Sequence, residues 1–235
     1  MLSLFIGHII SHKPISVTTR NYTTISNFDD LFNAMRVHFN STNLTQDVFI
    51  KVTNSSTASS GQSNRVNVDC IARDPVKYYT ERFVSYPTND PTVENYFTVD
   101  FLTSKVHLRN YTLLYISYMR FMVQYEVLGE YLGNWERIDY RAVNMSSVQQ
   151  FNVQGNKYYA YSFATSATKN YSKFMWRNIG PNQGLNVDNN TCYYTATTGK
   201  LLLYGTLYPG RVLFSPIKLR RKEQILFNYA MFSSL

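Results

Sequence analysis

"YTLLYISYMRFMVQYEVLGEY", residues 111–131, is the stretch on which the fold turns. A membrane helix needs 18 or so unbroken apolar residues, and Arg120, Gln124 and Glu126 interrupt this run. Read with a period of two, Leu113, Tyr115, Met119, Phe121, Val123, Tyr125 and Val127 fall on one face. Thr112, Arg120, Gln124 and Glu126 share the other with Leu114, Ile116, Tyr118 and Met122. That pattern predicts one long strand, or two joined by a bend, partly covered on both sides.

The same period recurs outward from this run. "RVNVDCIA", "YYTERFVSY", "NYFTVDFLT", "WERIDYRAV" and "KFMWRNI" each read as a short strand bounded by turn residues. "VQQFNVQGNKYYAYSFA" predicts a hairpin turning at Gln154-Gly155-Asn156, and "TCYYTATTGKLLLYGTLY" a second across Thr198-Gly199. One early segment differs. In "SNFDDLFNAMRVHF", Ser26 or Asn27 is placed to cap a helix, with Asp29 and Asp30 in its first turn and Leu31, Met35 and His38 on one face. The polar run "TNSSTASSGQSN" follows as a surface loop.

Together these give eight to ten strands and no internal repeat. The expected fold is an all-β, antiparallel two-sheet sandwich (jelly roll) with one short N-terminal helix and long loops; a closed barrel is the alternative. Residues 1–64 are expected to form an N-terminal arm with the short helix and polar loop, and residues 65–235 the sandwich domain.

Composition agrees with a folded β protein. Aromatics make up 16% of the 235 residues, 20 of them Tyr, and charged residues only 16%. The net charge of +8 is lopsided. Residues 1–140 hold 12 Lys/Arg against 13 Asp/Glu, while residues 141–235 hold 11 against 2, Asp188 and Glu223. A one-sided excess favours polyanionic partners, or serves solubility alone.

No catalytic signature is present. The chain lacks a Gly-x-Ser-x-Gly elbow, a phosphate-binding loop, a dinucleotide fingerprint and a Cys-x-x-Cys pair. His8 and His12 stand four apart without the Glu of a zinc-protease helix. Glu126, Glu130, Glu136 and Asp139 are conceivable as paired acids but read better as solvated strand edges. No enzyme, no cofactor and no metal site are expected. Cys70 and Cys192 are too few for a disulfide framework and read as buried thiols or a single bridge. Eight Asn-x-Ser/Thr sequons begin at Asn21, Asn40, Asn43, Asn54, Asn110, Asn144, Asn170 and Asn189.

The basic half carries the candidate binding residues. "KNYSKFMWRN" interleaves Lys169, Lys173 and Arg177 with Tyr171, Phe174 and Trp176, a pattern that suits phosphate neutralisation with base stacking. The bland alternative is a strand with core aromatics and solvated cations. In "IKLRRK", Lys218, Arg220 and Lys222 share one strand face and Arg221 the other. With Arg211, these make eight candidate nucleic-acid contacts: Lys169, Lys173, Arg177, Arg211, Lys218, Arg220, Arg221 and Lys222.

"GKLLLYGTLYPGRVLFSPIKLRRKEQILFNYAMF" resembles the closing strands of single jelly-roll capsid proteins from small icosahedral viruses, of the circular single-stranded DNA type. "NYSKFMWRNI" is similar to their upstream aromatic-basic strand. The resemblance implies a structural capsid protein in the virion, a homo-oligomer of many copies in an icosahedral shell, contacting a single-stranded nucleic acid genome through its basic C-terminal half, without membrane insertion. Such proteins begin with an Arg/Lys-rich arm, whereas residues 1–35 here hold only Lys13 and Arg20. The alternative, drawn from the sequons and the apolar N-terminus, is a secreted or surface β-sandwich module that binds a receptor or glycan. A nucleic-acid-binding protein that builds no shell is a third reading.

Overall fold

Ten strands, all paired antiparallel, make two five-stranded sheets, and a nine-residue helix packs against two strands of the first of them. The computed structural model describes residues 9–10, 13–18, 29–55, 68–73, 81–85, 90–116, 120–153, 156–184, 194–210, 212–214 and 229–230. In chain order the main elements are β1 (Ile15–Val17), α1 (Leu31–Phe39), β2 (Lys51–Asn54), β3 (Asn95–Asp100) and β4 (Lys105–Ile116). β5 (Gln124–Tyr131), β6 (Asn134–Ala142), β7 (Gln149–Val153), β8 (Asn156–Ala164), β9 (Lys173–Asn178) and β10 (Lys200–Tyr208) follow. The first sheet runs β7-β8-β4-β10-β1 and the second β2-β3-β9-β5-β6. The molecule is an antiparallel β-sandwich with one helix, as its sequence pattern requires.

The decisive stretch divides between the sheets. Its first half completes β4 in the first sheet and its second half is β5 in the second, with Arg120–Phe121 paired to Gln183–Gly184 between them. Where β4 lies over β9, Tyr111 meets Trp176 edge-on with ring centroids 5.9 Å apart, and Trp176 stacks on Phe97 at 5.4 Å. Tyr111, Phe97, Phe174 and Trp176 are fully buried. Large flat rings interlocked in this way each remove a large apolar surface from water.

Several expectations need correction. Asp30, not Ser26 or Asn27, caps α1: its backbone is extended and its Oδ1 accepts the Asn33 N–H at 2.9 Å. "VDCIA" in the expected strand 65–72 is a turn of 3-10 helix, Val68–Ala72, with Val68, Cys70, Ile71 and Ala72 all buried. Consecutive buried side chains suit a plug, and this one packs against β10 and β2 as α1 packs against β10 and β1. No hairpin forms at Thr198-Gly199. Thr197–Thr198 pair instead with Phe83–Val84, and Lys200 onward joins β4 and β1. A bulge at Tyr204/Gly205 bends β10; Gly205 has φ +150°, and a Cβ there would lie 2.1 Å from the His107 carbonyl oxygen.

The described part of residues 1–64 is built into the sandwich. β1 and β2 are edge strands of the two sheets, and Leu31, Phe32 and Met35 of α1 lie in the common core. The expected division between an arm and a domain at 64/65 has this shared core on both sides of it. The hairpin β7–β8 stands where its turn signal placed it, with Val153 opposite Asn156.

Candidate functional site

The outer face of the second sheet is a register of three rows. Its geometry follows from β9, where Phe174 and Trp176 point into the core and Lys173, Met175 and Arg177 therefore point out. Across the strands, one row reads Lys51, Asp100, Lys173, Glu130, Trp135. The next reads Thr53, Thr98, Met175, Leu128, Arg137, and the last Tyr96, Arg177, Glu126, Tyr140.

Most polar groups on this face are bonded to one another. Arg177 donates through Nε to Glu126 at 2.6 Å and through Nη1 to Glu94 at 2.8 Å. Burial alone disfavours the Arg177 charge, but the Glu126 carboxylate outweighs it and holds the guanidinium above its ordinary pKa. Glu130 accepts the Gly133 N–H at 2.6 Å and the Ser172 hydroxyl at 2.8 Å, and Asp100 accepts the Leu102 N–H at 2.9 Å. Thr53 and Thr98 share a hydroxyl hydrogen bond of 2.6 Å.

The β5–β6 hairpin is the exception. Its two-residue turn, Leu132-Gly133, has φ of 52° and 81°, both in the left-handed region that matches strand twist. Leu132 at the tip is 78% exposed. Beyond it Trp135 is 39% and Tyr140 45% exposed on the same face, with the Arg137 side chain, 63% exposed, between them. Lys173 Nζ lies 5.7 Å from the Trp135 ring centroid and Arg137 6.0 Å from that of Tyr140. Gln124 donates to the Tyr140 hydroxyl at 3.1 Å. Beside the hairpin, Lys169 pairs with Glu136 and lies over the Tyr131 ring at 4.5 Å. The hydrogen bond from Lys169 holds the Glu136 carboxyl below its ordinary pKa. Exposed aromatic rings beside cations form a surface that takes flat, partly apolar, hydrogen-bonding ligands.

Of the eight expected nucleic-acid contacts, the described residues include three. Lys173 and Arg177 point outward on one face, while Lys169 is held at Glu136 beside the hairpin. Tyr171, Phe174 and Trp176, expected to stack on bases, are core residues at 2%, 0% and 0% exposure. Arg211, Lys218, Arg220, Arg221 and Lys222 lie outside the described residues. The carboxylates at 126, 130, 136 and 139 are not loose solvated edges: Glu126 is buried under Arg177, and Asp139 accepts from the Tyr111 hydroxyl at 2.8 Å. Among the described residues no group of three or more His, Cys, Asp or Glu gathers to hold a metal ion, and no helix is long and apolar enough to cross a membrane.

Sequence reasoning missed Trp135, Arg137 and Tyr140 as a set. It took "WERIDYRAV" as one strand among several, and strict alternation puts Tyr140 opposite Trp135.

No family model matches the chain, and no curated protein does. Among solved structures it is similar to a family 32 carbohydrate-binding module of C. perfringens in complex with galactose, at 8% identity and TM-score 0.45, covering 67% of this chain and 94% of that one. It is also similar to the C-terminal domain of a chitobiase from Bacteroides fragilis, at 16% identity and TM-score 0.45, covering 68% and 95%. Chitosan-binding module 1 of a chitosanase/glucanase from Paenibacillus sp. matches at 12% identity and TM-score 0.40, covering 67% and 96%.

Two of these three structures are a galactose-bound carbohydrate-binding module and a chitosan-binding module and none is a capsid jelly roll, which corrects the expected kinship with capsid proteins. The readings that depended on it fall together: a capsid protein, a shell of many copies, a packaged single-stranded genome and a place in the virion. The physical reason is visible in the described cations. Arg177 and Lys169 are taken up by carboxylates of their own chain, and the interleaved aromatics serve the core.

Proposed function

We propose that this chain is a non-catalytic β-sandwich module that binds carbohydrate on the outer face of its second sheet, beside the β5–β6 hairpin. One observation carries the proposal: Trp135 and Tyr140 hold exposed rings on one face with the Arg137 guanidinium between them, on a sheet whose other outward polar groups are largely bonded to each other. A sugar ring has an apolar C–H face, which stacks on an exposed indole or phenol, and equatorial hydroxyls that accept from a neighbouring guanidinium. The strands fix the backbone positions of all three residues, and the two rings have only two side-chain torsions each to order on binding.

The acids of this face support binding without turnover. Glu126 is committed to Arg177, and Glu130 to Gly133 and Ser172, so neither is poised to protonate a leaving group or activate water. The test is affinity electrophoresis and a glycan array with the intact protein and its Trp135→Ala variant. Retention by at least one glycan, lost in the variant, is expected. Equal retention of both proteins, or retention of neither by any glycan, overturns the proposal.

A further inference from the structure

We infer that the carbohydrate is an anionic oligosaccharide lying along β6, its carboxylate or sulfate groups read by Arg137 and Lys173; this rests on the binding face proposed above. Two features of that face point the same way. The first is which hydrogen-bonding groups remain unspent. Glu126 and Glu130 already accept from Arg177, Gly133 and Ser172, and Asp100 accepts from Leu102 through one oxygen, so these carboxylates are partly engaged within the protein. The sheet's donors are less engaged. Lys173 makes no ion pair among the described residues and rests over Trp135, and Arg137 reaches Glu126 only at 4.0 Å. A ligand meeting unspent donors and partly satisfied acceptors is selected for acceptor groups of its own, and a charged acceptor forms the stronger bond.

The second feature is spacing. Trp135 stands opposite Glu130 and Tyr140 opposite Glu126, four residues apart on β5. At about 3.4 Å per strand residue the two rings sit about 14 Å apart along the strand, more than one sugar ring spans. Both platforms are engaged together only by an extended chain, whose charged substituents then fall at Arg137, in the row between them, and at Lys173, beside Trp135. Lys173 and Arg137 lie one ladder row apart, so two anionic groups on neighbouring sugars meet two separate cations.

The experiment compares matched pairs on one array: neutral oligosaccharides and their uronic-acid, sialylated or sulfated counterparts, probed with the intact protein, Arg137→Gln, Lys173→Gln and Trp135→Ala. The inference expects an acidic member bound at least about tenfold more tightly than its neutral match, with binding that weakens as NaCl is raised. It expects each Gln variant to erase most of that preference while retaining residual neutral binding, and Trp135→Ala to lose both. Equal binding of neutral and acidic members, unchanged in the Gln variants but lost in Trp135→Ala, overturns the anionic reading and leaves the carbohydrate site standing. Binding to no oligosaccharide of either kind overturns both.

Discussion

Tyr140 stands on the same face as Trp135 because the β5–β6 ladder slips by one residue between Val127 and Leu128. The two rings are five positions apart, an odd step, and without the slip Tyr140 would turn toward the core side. The extra residue is Ile138, whose side chain is buried at 2% exposure. Alternation from Trp135 already turns Ile138 inward, and the bulge after it returns Tyr140 to the outer face.

The separation of binding from folding on this face is directly measurable. Trp135→Ala and Tyr140→Ala remove side chains that are 39% and 45% exposed, so each is expected to cost about 1–2 kcal/mol of stability, less than a fully buried ring. Glycan binding, read by titration calorimetry, is expected to fall at least tenfold in each and to vanish in the double variant. A melting temperature depressed as strongly as the affinity would assign these rings to packing instead.

How much of this was legible beforehand depends on the kind of signal. Alternation in 111–131 and 173–178 marked β4, β5 and β9, because a buried sheet face enforces a period of two, but pattern alone leaves open whether Phe174 and Trp176 serve the core or stack on a ligand. The Gly155 turn signal marked β7–β8. Val68–Ala72 failed because its apolar residues are those of a plug, and local pattern does not distinguish a buried 3-10 turn from a buried strand. The site failed for a sharper reason. Bulges are set by pairing between strands, so nothing within "WERIDYRAV" announces that Tyr140 changes face.

Cys70 is a buried thiol at 0% exposure, and burial pushes its pKa up to about 12. The thiolate is the reactive form, so native protein is expected to resist iodoacetamide at Cys70 at pH 8 for hours, with labelling completed on addition of guanidinium chloride. Peptide mass spectrometry checks this, and rapid labelling of Cys70 without denaturant would contradict the packing of the 3-10 plug.

Asp30 caps α1 from a fully buried position. Desolvation raises its carboxyl to about 6, while the Asn33 N–H and the Arg36 charge pull the other way without prevailing. The folded state thus holds this proton more tightly than the unfolded chain, where the pKa is 3.8. The contribution of Asp30 is most favourable below pH 4 and is lost as pH rises from 4 to 6, by about 3 kcal/mol. Asn at this position keeps the oxygen that accepts from Asn33 but carries no charge. Asp30→Asn is expected to be the more stable protein at pH 7, by about 2 kcal/mol, with the advantage gone at pH 4. Urea unfolding of both proteins at the two pH values measures it; an advantage that does not change with pH would remove the buried charge from the account.

Lys200 opens β10 as a fully buried cation, at 0% exposure. Its Nζ donates to the Cys70 carbonyl at 2.8 Å and lies 3.8 Å from Glu81, which also pairs with Arg73 at 2.9 Å. The ammonium therefore ties the first sheet to the 3-10 plug, and its loss leaves the Cys70 carbonyl with the Arg73 N–H alone, at 3.2 Å, and part of the Glu81 charge uncompensated. Truncation also opens a cavity where the four-carbon stem lay. Lys200→Ala is expected to lose about 3 kcal/mol or more in urea unfolding. Lys200→Met restores the stem without the charge, so the difference between the two variants separates packing from the ionic tie. If Met recovers all of the loss, the tie contributes nothing and Lys200 acts as an apolar filler; the geometry at Cys70 and Glu81 calls for Met to recover only part.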